Sequence, residues 1–227
     1  MKLKKHAAGV LIGAALSTLS YQSYADVILH AFNWTYDDVA AKAQEIADLG
    51  YTKVLVSPAY KSTGDQWWAR YQPQDYRVID NPLGDTADFQ AMVSALNAKG
   101  VETYADIVFN HMANEAWKRS DLNYPGSEIL QQYSSNQGYY NGITLFGDVS
   151  SGLFGGGDFH GTYDQGGPKC ISNYSDVGDV QYNRLCGAAP DPGLPDLDPN
   201  NWVVAQQKAY LQALKDMGVT GFRVDAA

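Results

Sequence analysis

Two short runs in this 227-residue chain carry side chains able to do chemistry at the point where an apolar stretch ends. Asp106-Ile-Val-Phe-Asn110-His111 passes from apolar residues to an amide and an imidazole, and Gly221-Phe-Arg-Val-Asp225 ends on a guanidinium and a carboxylate. A fully buried parallel strand reads as such a short apolar run, and in barrel enzymes the working side chains sit at its C-terminal end. Residues two apart on a strand share a face, so Arg223 and Asp225 point the same way. Spacing alone leaves Asp225 open as a reacting carboxylate or as half of a supporting ion pair. His111 is equally open, as a ligand contact or a histidine satisfied in the core. Asp106 reads as a structural acid that orients Arg223 or the nearby loop.

The elements that must position these groups repeat one grammar of strand, helix, glycine stop and strand. Val27–Phe32 is the first apolar run, and Thr35 with Asp38 three residues on is a variant of the capping box. Val39, Ala43, Ile46 and Ala47 follow at helical spacing, Gly50 ends the segment, and Lys53–Val56 is the second strand. Asp85-Thr86 then opens a helix with Phe89, Met92, Val93 and Leu96 on one face; Gly100 closes it ahead of the strand that runs to Asn110. A third round begins at Asn201, with Val204, Leu211 and Leu214 along a face, and passes through Gly218 to Asp225. Strands alternating with helices of this length predict βα units and a parallel sheet. No G-x-G-x-x-G follows the first strand, which disfavours a doubly wound dinucleotide-binding sheet and favours a closed (β/α)8 TIM barrel.

The stretch between the third strand and the last helix differs in character. Residues 111–199 are rich in Gly, Tyr, Asn, Asp, Ser and Pro, with Gly152–Gly157 and Asp191–Pro199 made of turn residues. A structureless linker of that length is unusual, so the expectation is an irregular inserted domain after strand 3. It holds both cysteines, Cys170 and Cys186. In an exported protein two such cysteines default to a disulfide, worth about 3 kcal/mol for a loop of this size. Export itself is expected from residues 1–25: Lys2, Lys4 and Lys5, an apolar core from Ala7 to Leu19, and a Ser23-Tyr24-Ala25 cleavage site. Such a signal peptide implies a secreted or periplasmic protein; as a membrane anchor the apolar run is too short. The net charge of −9 grows more negative once those lysines are removed. That disfavours nucleic acid and anionic membrane as partners and leaves an uncharged ligand as the better fit.

Several of these runs together resemble the α-amylase family of retaining glycoside hydrolases. The D-x-x-x-N-H spacing of Asp106, Asn110 and His111 is similar to one of its signature segments, and Gly221–Asp225 to the G-x-R-x-D run around its nucleophile. Leu194-Pro-Asp-Leu-Asp198 resembles the segment that closes its inserted domain. Trp67–Tyr76 resembles its aromatic loop after the second strand, with Arg70 where the family has glycine. The segments fall in family order from Val27 onward. The resemblance implies domains at 26–110 (strands 1 to 3), 111–199 (the insertion) and 200–227 (a helix and strand 4). A whole barrel takes roughly 250 residues, so the expectation is a chain holding only the first four strands.

The resemblance also implies roles. Asp225 is the expected nucleophile; Arg223, its partner, is presented to the sugar with it; His111 and Tyr71 contact the sugar at the cleavage point, with Tyr71 as an aromatic platform. Trp67, Trp68 and Tyr60 are candidates to extend that platform. Asn110 and Asp196 are expected ligands of a structural Ca²⁺, a hard ion taking six to eight oxygens, with Asp198 as runner-up. The implied substrate is an α-1,4-glucan such as starch. The family's general acid, a glutamate after strand 5, and its third carboxylate, an aspartate after strand 7, fall beyond residue 227, so this polypeptide alone is expected to be inactive. Alternatives are another glucan hydrolase or transglycosylase of the family, or a non-catalytic glycan-binding barrel. A metal-dependent hydrolase ranks last, because only His30 and His111 lie near strand ends.

Overall fold

The computed structural model describes residues 26–115, 122–161 and 169–225; the expected export segment over residues 1–25 lies outside them. In chain order, β1 (Ile28–Ala31) leads to Thr35, whose hydroxyl accepts the Asp38 N–H at 3.1 Å and caps α1 (Tyr36–Ala41). The single helix expected here is interrupted at Lys42 before α2 (Ala43–Asp48). The hydrogen-bond ladder still passes through it, from Lys42 N–H to Asp38 and from Ile46 N–H to Lys42, so the interruption is a local distortion rather than a break. β2 is Lys53–Val56, and a two-residue hairpin, β3 (Asp80–Asn81) and β4 (Gly84–Asp85), precedes α3 (Thr86–Asn97). Asp85 caps α3 and Asp88 returns the bond, a reciprocal capping box. β5 is Glu102–Val108. After the intervening segment come α7 (Asn201–Asp216), capped by Asn200, and β6 (Val219–Asp225). The buried stripe of α7 runs through Val203, Tyr210 and Leu214, one position away from the Val204 and Leu211 expected.

The three glycine stops behave alike for one reason. Gly50, Gly100 and Gly218 take φ of 86°, 71° and 100°, the left-handed conformation that ends a helix and that a β-carbon would strain. Tyr51 N–H then reaches back to the Ile46 carbonyl and Val101 N–H to that of Leu96, closing orphan carbonyls before the chain enters the next strand.

The four longer strands pair in the order β1-β2-β5-β6, all parallel. Neighbours in the sheet are therefore consecutive in the βα series, with no reversal of direction across the sheet. A doubly wound sheet reverses at a switch point; a barrel does not. Helices cover the sheet with fully buried Val39, Phe89, Met92, Leu96, Tyr210 and Leu214, packed with Val54, Ala105 and Ile107 from the strands. Each of the Val, Leu, Ile, Phe and Met side chains among them contributes about 1.5–3 kcal/mol of burial.

The segment expected to be irregular is partly helical. It contains α4 (Ser127–Ser135), α5 (Gln137–Ile143) and α6 (Val177–Tyr182), and a 3₁₀ turn at Gly156–Asp158 within the glycine run expected to be loop. Ile129, Tyr133, Tyr140 and Ile143 recur at helical spacing and close on Val78 and Val149 as a second apolar cluster. That periodicity was masked by the surrounding polar composition. The Cys170–Cys186 disulfide is formed, with Cα atoms 5.6 Å apart.

Candidate active site

The β5–β6 register sets Arg223 beside Asp106 and Asp225 beside Val108. Gly221 makes that register possible: a β-carbon there would lie 2.5 Å from the ring of Tyr104 on β5. The guanidinium of Arg223 donates both ways, to Asp106 Oδ2 at 2.6 Å and to Asp225 Oδ1 at 2.9 Å. Asp106 is completely buried and also accepts the Tyr71 hydroxyl at 2.9 Å. Burial pushes its carboxyl above the usual carboxylate range, against the pull of Tyr71 and Arg223. Tyr71, Asp106, Arg223 and Asp225 thus form one chain. Asp225 Oδ2 is left without a hydrogen bond among the described residues. A strand-end carboxylate with one oxygen held and one free is placed to attack an electrophilic carbon.

Tyr71 reaches this network from a 3₁₀ turn, Trp67–Tyr71. Arg70 fixes that turn: it is 1% exposed and donates to the Gly64 carbonyl at 2.6 Å, while the Tyr60 hydroxyl donates to the Arg70 carbonyl at 2.6 Å. Tyr60 is fully buried in this bond, so it is a packing residue and does not extend the platform. Trp67 and Trp68 remain exposed beside Tyr71, and Phe32 meets Trp67 with ring centres 5.9 Å apart. His111 Nε2 is 3.0 Å from the Tyr71 carbonyl. Burial lowers its pKa, so near neutrality the ring is uncharged, with Nε2–H donating to that carbonyl and Nδ1 turned to Asn110 at 3.5 Å. His111 is 3% exposed; it fixes the backbone of Tyr71 as well as lining the site.

On the far side of the same strand end, residue pair His111 and Asp196 form a β-bridge, and Leu197 N–H bonds to the Asn110 carbonyl at 2.9 Å. This brings Asn110 alongside Asp196, whose carboxyl burial pushes up to about 6 against the pull of His160. His160 Nδ1 lies 2.7 Å from Asp196 Oδ2, and its Nε2 lies 3.5 Å from Asp198. No three His, Cys, Asp or Glu side chains among the described residues converge in metal-binding geometry. The donors at Asn110 and Asp196 are oxygens from an amide and a buried, under-compensated carboxylate, which suit a hard cation that also takes backbone carbonyls.

Two groups were missed by sequence reasoning. His160 sits alone in a loop 36 residues from its partner, with no local signal. Asp75 and Arg77, both buried, form a pair at 2.9 Å, and Arg77 also donates to the Ser151 carbonyl at 3.0 Å, holding the inserted segment on the loop after β2. The D-x-R spacing mirrors that of Arg223 and Asp225 and was the available clue.

Residues 35–227 match the family described as "Alpha amylase, catalytic domain". An α-amylase of Aeromonas hydrophila is 56% identical over 223 residues, 98% of this chain and 46% of the relative. An α-amylase of Phaedon cochleariae is 34% identical, covering 89% of this chain and 36% of its own length. Wild-type α-amylase I of Eisenia fetida superposes with a TM-score of 0.65 at 31% identity, over 88% of this chain and 37% of that one; a variant of it has been solved with maltohexaose. The chain therefore spans less than half the length of these relatives, and its four parallel strands are part of their (β/α) barrel. On its sequence, its strand order and the chemistry at the ends of β5 and β6, the chain belongs to the α-amylase family of glycoside hydrolases.

Proposed function

We propose that this chain carries the nucleophile side of an endo-acting hydrolase that cleaves α-1,4-glucosidic bonds of starch with retention. The carrying observation is Asp225, held through one oxygen by Arg223 beside Tyr71 and His111. In that reading Asp225 attacks the anomeric carbon and forms a glycosyl-enzyme, while Tyr71 presents its ring to the apolar face of the sugar. The hexasaccharide bound by the E. fetida enzyme supports a glucan as the substrate. Retention also needs a carboxylic acid about 5–5.5 Å from the nucleophile to protonate the leaving oxygen. The family draws that acid from a later strand, so a polypeptide of these 227 residues is expected to leave soluble starch intact. Asp225→Asn in the whole protein tests the assignment: reducing-sugar release should fall by several orders of magnitude with the fold unchanged. Turnover within tenfold of wild type refutes Asp225 as nucleophile.

Calcium and export complete the proposal. Bound Ca²⁺ would supply a fixed positive charge that clips the inserted segment to the barrel. Asn110 and Asp196 would hold it, the buried Asp196 carboxylate supplying the negative charge and Asn110 an amide oxygen. Residues 1–25 would direct the protein out of the cytoplasm, which N-terminal sequencing of the mature protein checks by a start at Asp26.

A further inference from the structure

The strongest feature not absorbed by the catalytic reading is His160. Its imidazole Nδ1 is 2.7 Å from Asp196 Oδ2, and its backbone N–H donates to the Asp196 carbonyl at 3.0 Å, so the two residues are tied twice. The ring itself is fixed: Tyr182 meets it edge-on at 5.1 Å between centres, and Asp198 Oδ1 lies 3.5 Å from Nε2. Only 11% of the His160 side chain is exposed, and 4% of that of Asp196. A carboxylate has two oxygens and rotates about its Cβ–Cγ bond. A hydrogen bond on Oδ2 from a ring that cannot move stops that rotation and leaves Oδ1 for a second partner. Asn110, just past the end of β5, is brought against this segment from the barrel side: the Leu197 N–H donates to the Asn110 carbonyl at 2.9 Å, and His111 bridges to Asp196.

We propose that His160 is a positioning residue for cation binding: through Nδ1–H it orients Asp196 toward Asn110, so that the affinity of the site for Ca²⁺ depends on it although it does not itself coordinate. The inference rests on the calcium reading above. Groups that hydrogen-bond a metal-ligating side chain typically govern affinity by about 10–100-fold. The inserted segment thereby contributes two residues to the clip, one that holds the ion and one that aims it.

Isothermal titration of Ca²⁺ into the chelator-treated full chain tests this, for wild type, His160→Ala and His160→Asn. Asparagine puts an amide N–H close to where Nδ1–H lies. The expected result is a Kd about 10–100-fold weaker for His160→Ala and restored to within about threefold by His160→Asn. Melting temperatures in EDTA and in excess Ca²⁺ accompany it; the Ca²⁺-induced gain should shrink at equal Ca²⁺ for the alanine variant. A Kd for His160→Ala within twofold of wild type, with melting lowered equally in both conditions, makes His160 a plain structural brace and overturns the proposal. Failure of His160→Asn to restore affinity overturns it too, by showing that the ring and not the Nδ1–H matters. If wild type takes up no Ca²⁺, the calcium reading falls first and this inference with it.

Discussion

Removing Arg223 isolates a buried carboxylate, and the consequence has a sign in pH. Asp106 is completely buried and holds three donors: Arg223 at 2.6 Å and Tyr71 at 2.9 Å on Oδ2, and the Ile107 N–H at 3.1 Å on Oδ1. In Arg223→Met the charged donor goes and the two neutral ones stay. Breaking a buried pair from one side costs about 3–5 kcal/mol. Arg223 is 47% exposed, so water already screens its charge and the loss is reduced, to about 2–3 kcal/mol at pH 7. Burial already raises the Asp106 pKa above its unfolded value, and without Arg223 it rises further. A carboxyl raised in the folded state binds its proton more tightly there than in the unfolded chain. Stability therefore falls as pH climbs from the unfolded value to the folded one, and stays down above it. The variant extends that window upward, so its deficit relative to wild type is small near pH 4 and grows toward neutrality. Urea unfolding of the whole protein between pH 4 and 8, followed by tryptophan fluorescence, measures it. The double variant Asp106→Asn/Arg223→Met should recover part of the loss at pH 7, since it removes the stranded charge. A deficit that is the same at every pH, or a double variant no more stable than Arg223→Met, refutes the reasoning.

Two further outcomes follow from packing and covalent structure. Gly221→Ala would drive a methyl into the Tyr104 ring, which sits 2.5 Å from the added carbon, and the cost expected for such overpacking is about 1–3 kcal/mol, read by urea midpoint; an unshifted midpoint would mean the two strands can part freely there. Cys170→Ala/Cys186→Ala opens a loop with a sequence separation of 16, a loss of about 3 kcal/mol in the inserted segment, visible as faster proteolysis of residues 169–199 with the barrel strands still protected; cleavage at the wild-type rate would argue against it.

What the sequence disclosed and what it withheld divide along one physical line. Thr35, Asp85 and Gly100 act on neighbours three to five residues away, so caps and stops are written locally, and they frame the β1, β2 and β5 strands. Arg223 and Asp225 share a face because a strand alternates, which needs no tertiary knowledge; the register then delivers Arg223 to Asp106, as its reading as an orienting acid anticipated. The inserted segment obeys the opposite rule. Its helices are short, with two buried residues each in α4 and α5 and none in α6; α4 and α5 persist because Val78 and the Asp75–Arg77 pair wait for them on the barrel side. Tyr133 shows the dependence: its ring joins the second apolar cluster while its hydroxyl reaches Asp75 Oδ2 at 3.3 Å, across 58 residues. His160 and Asp196 follow the same logic, each supplying the other's hydrogen-bond partner where two loops meet. Chemistry that sits on a strand end is legible because the strand carries its own period. Chemistry that sits between loops is a property of the closed fold, and only the fold displays it.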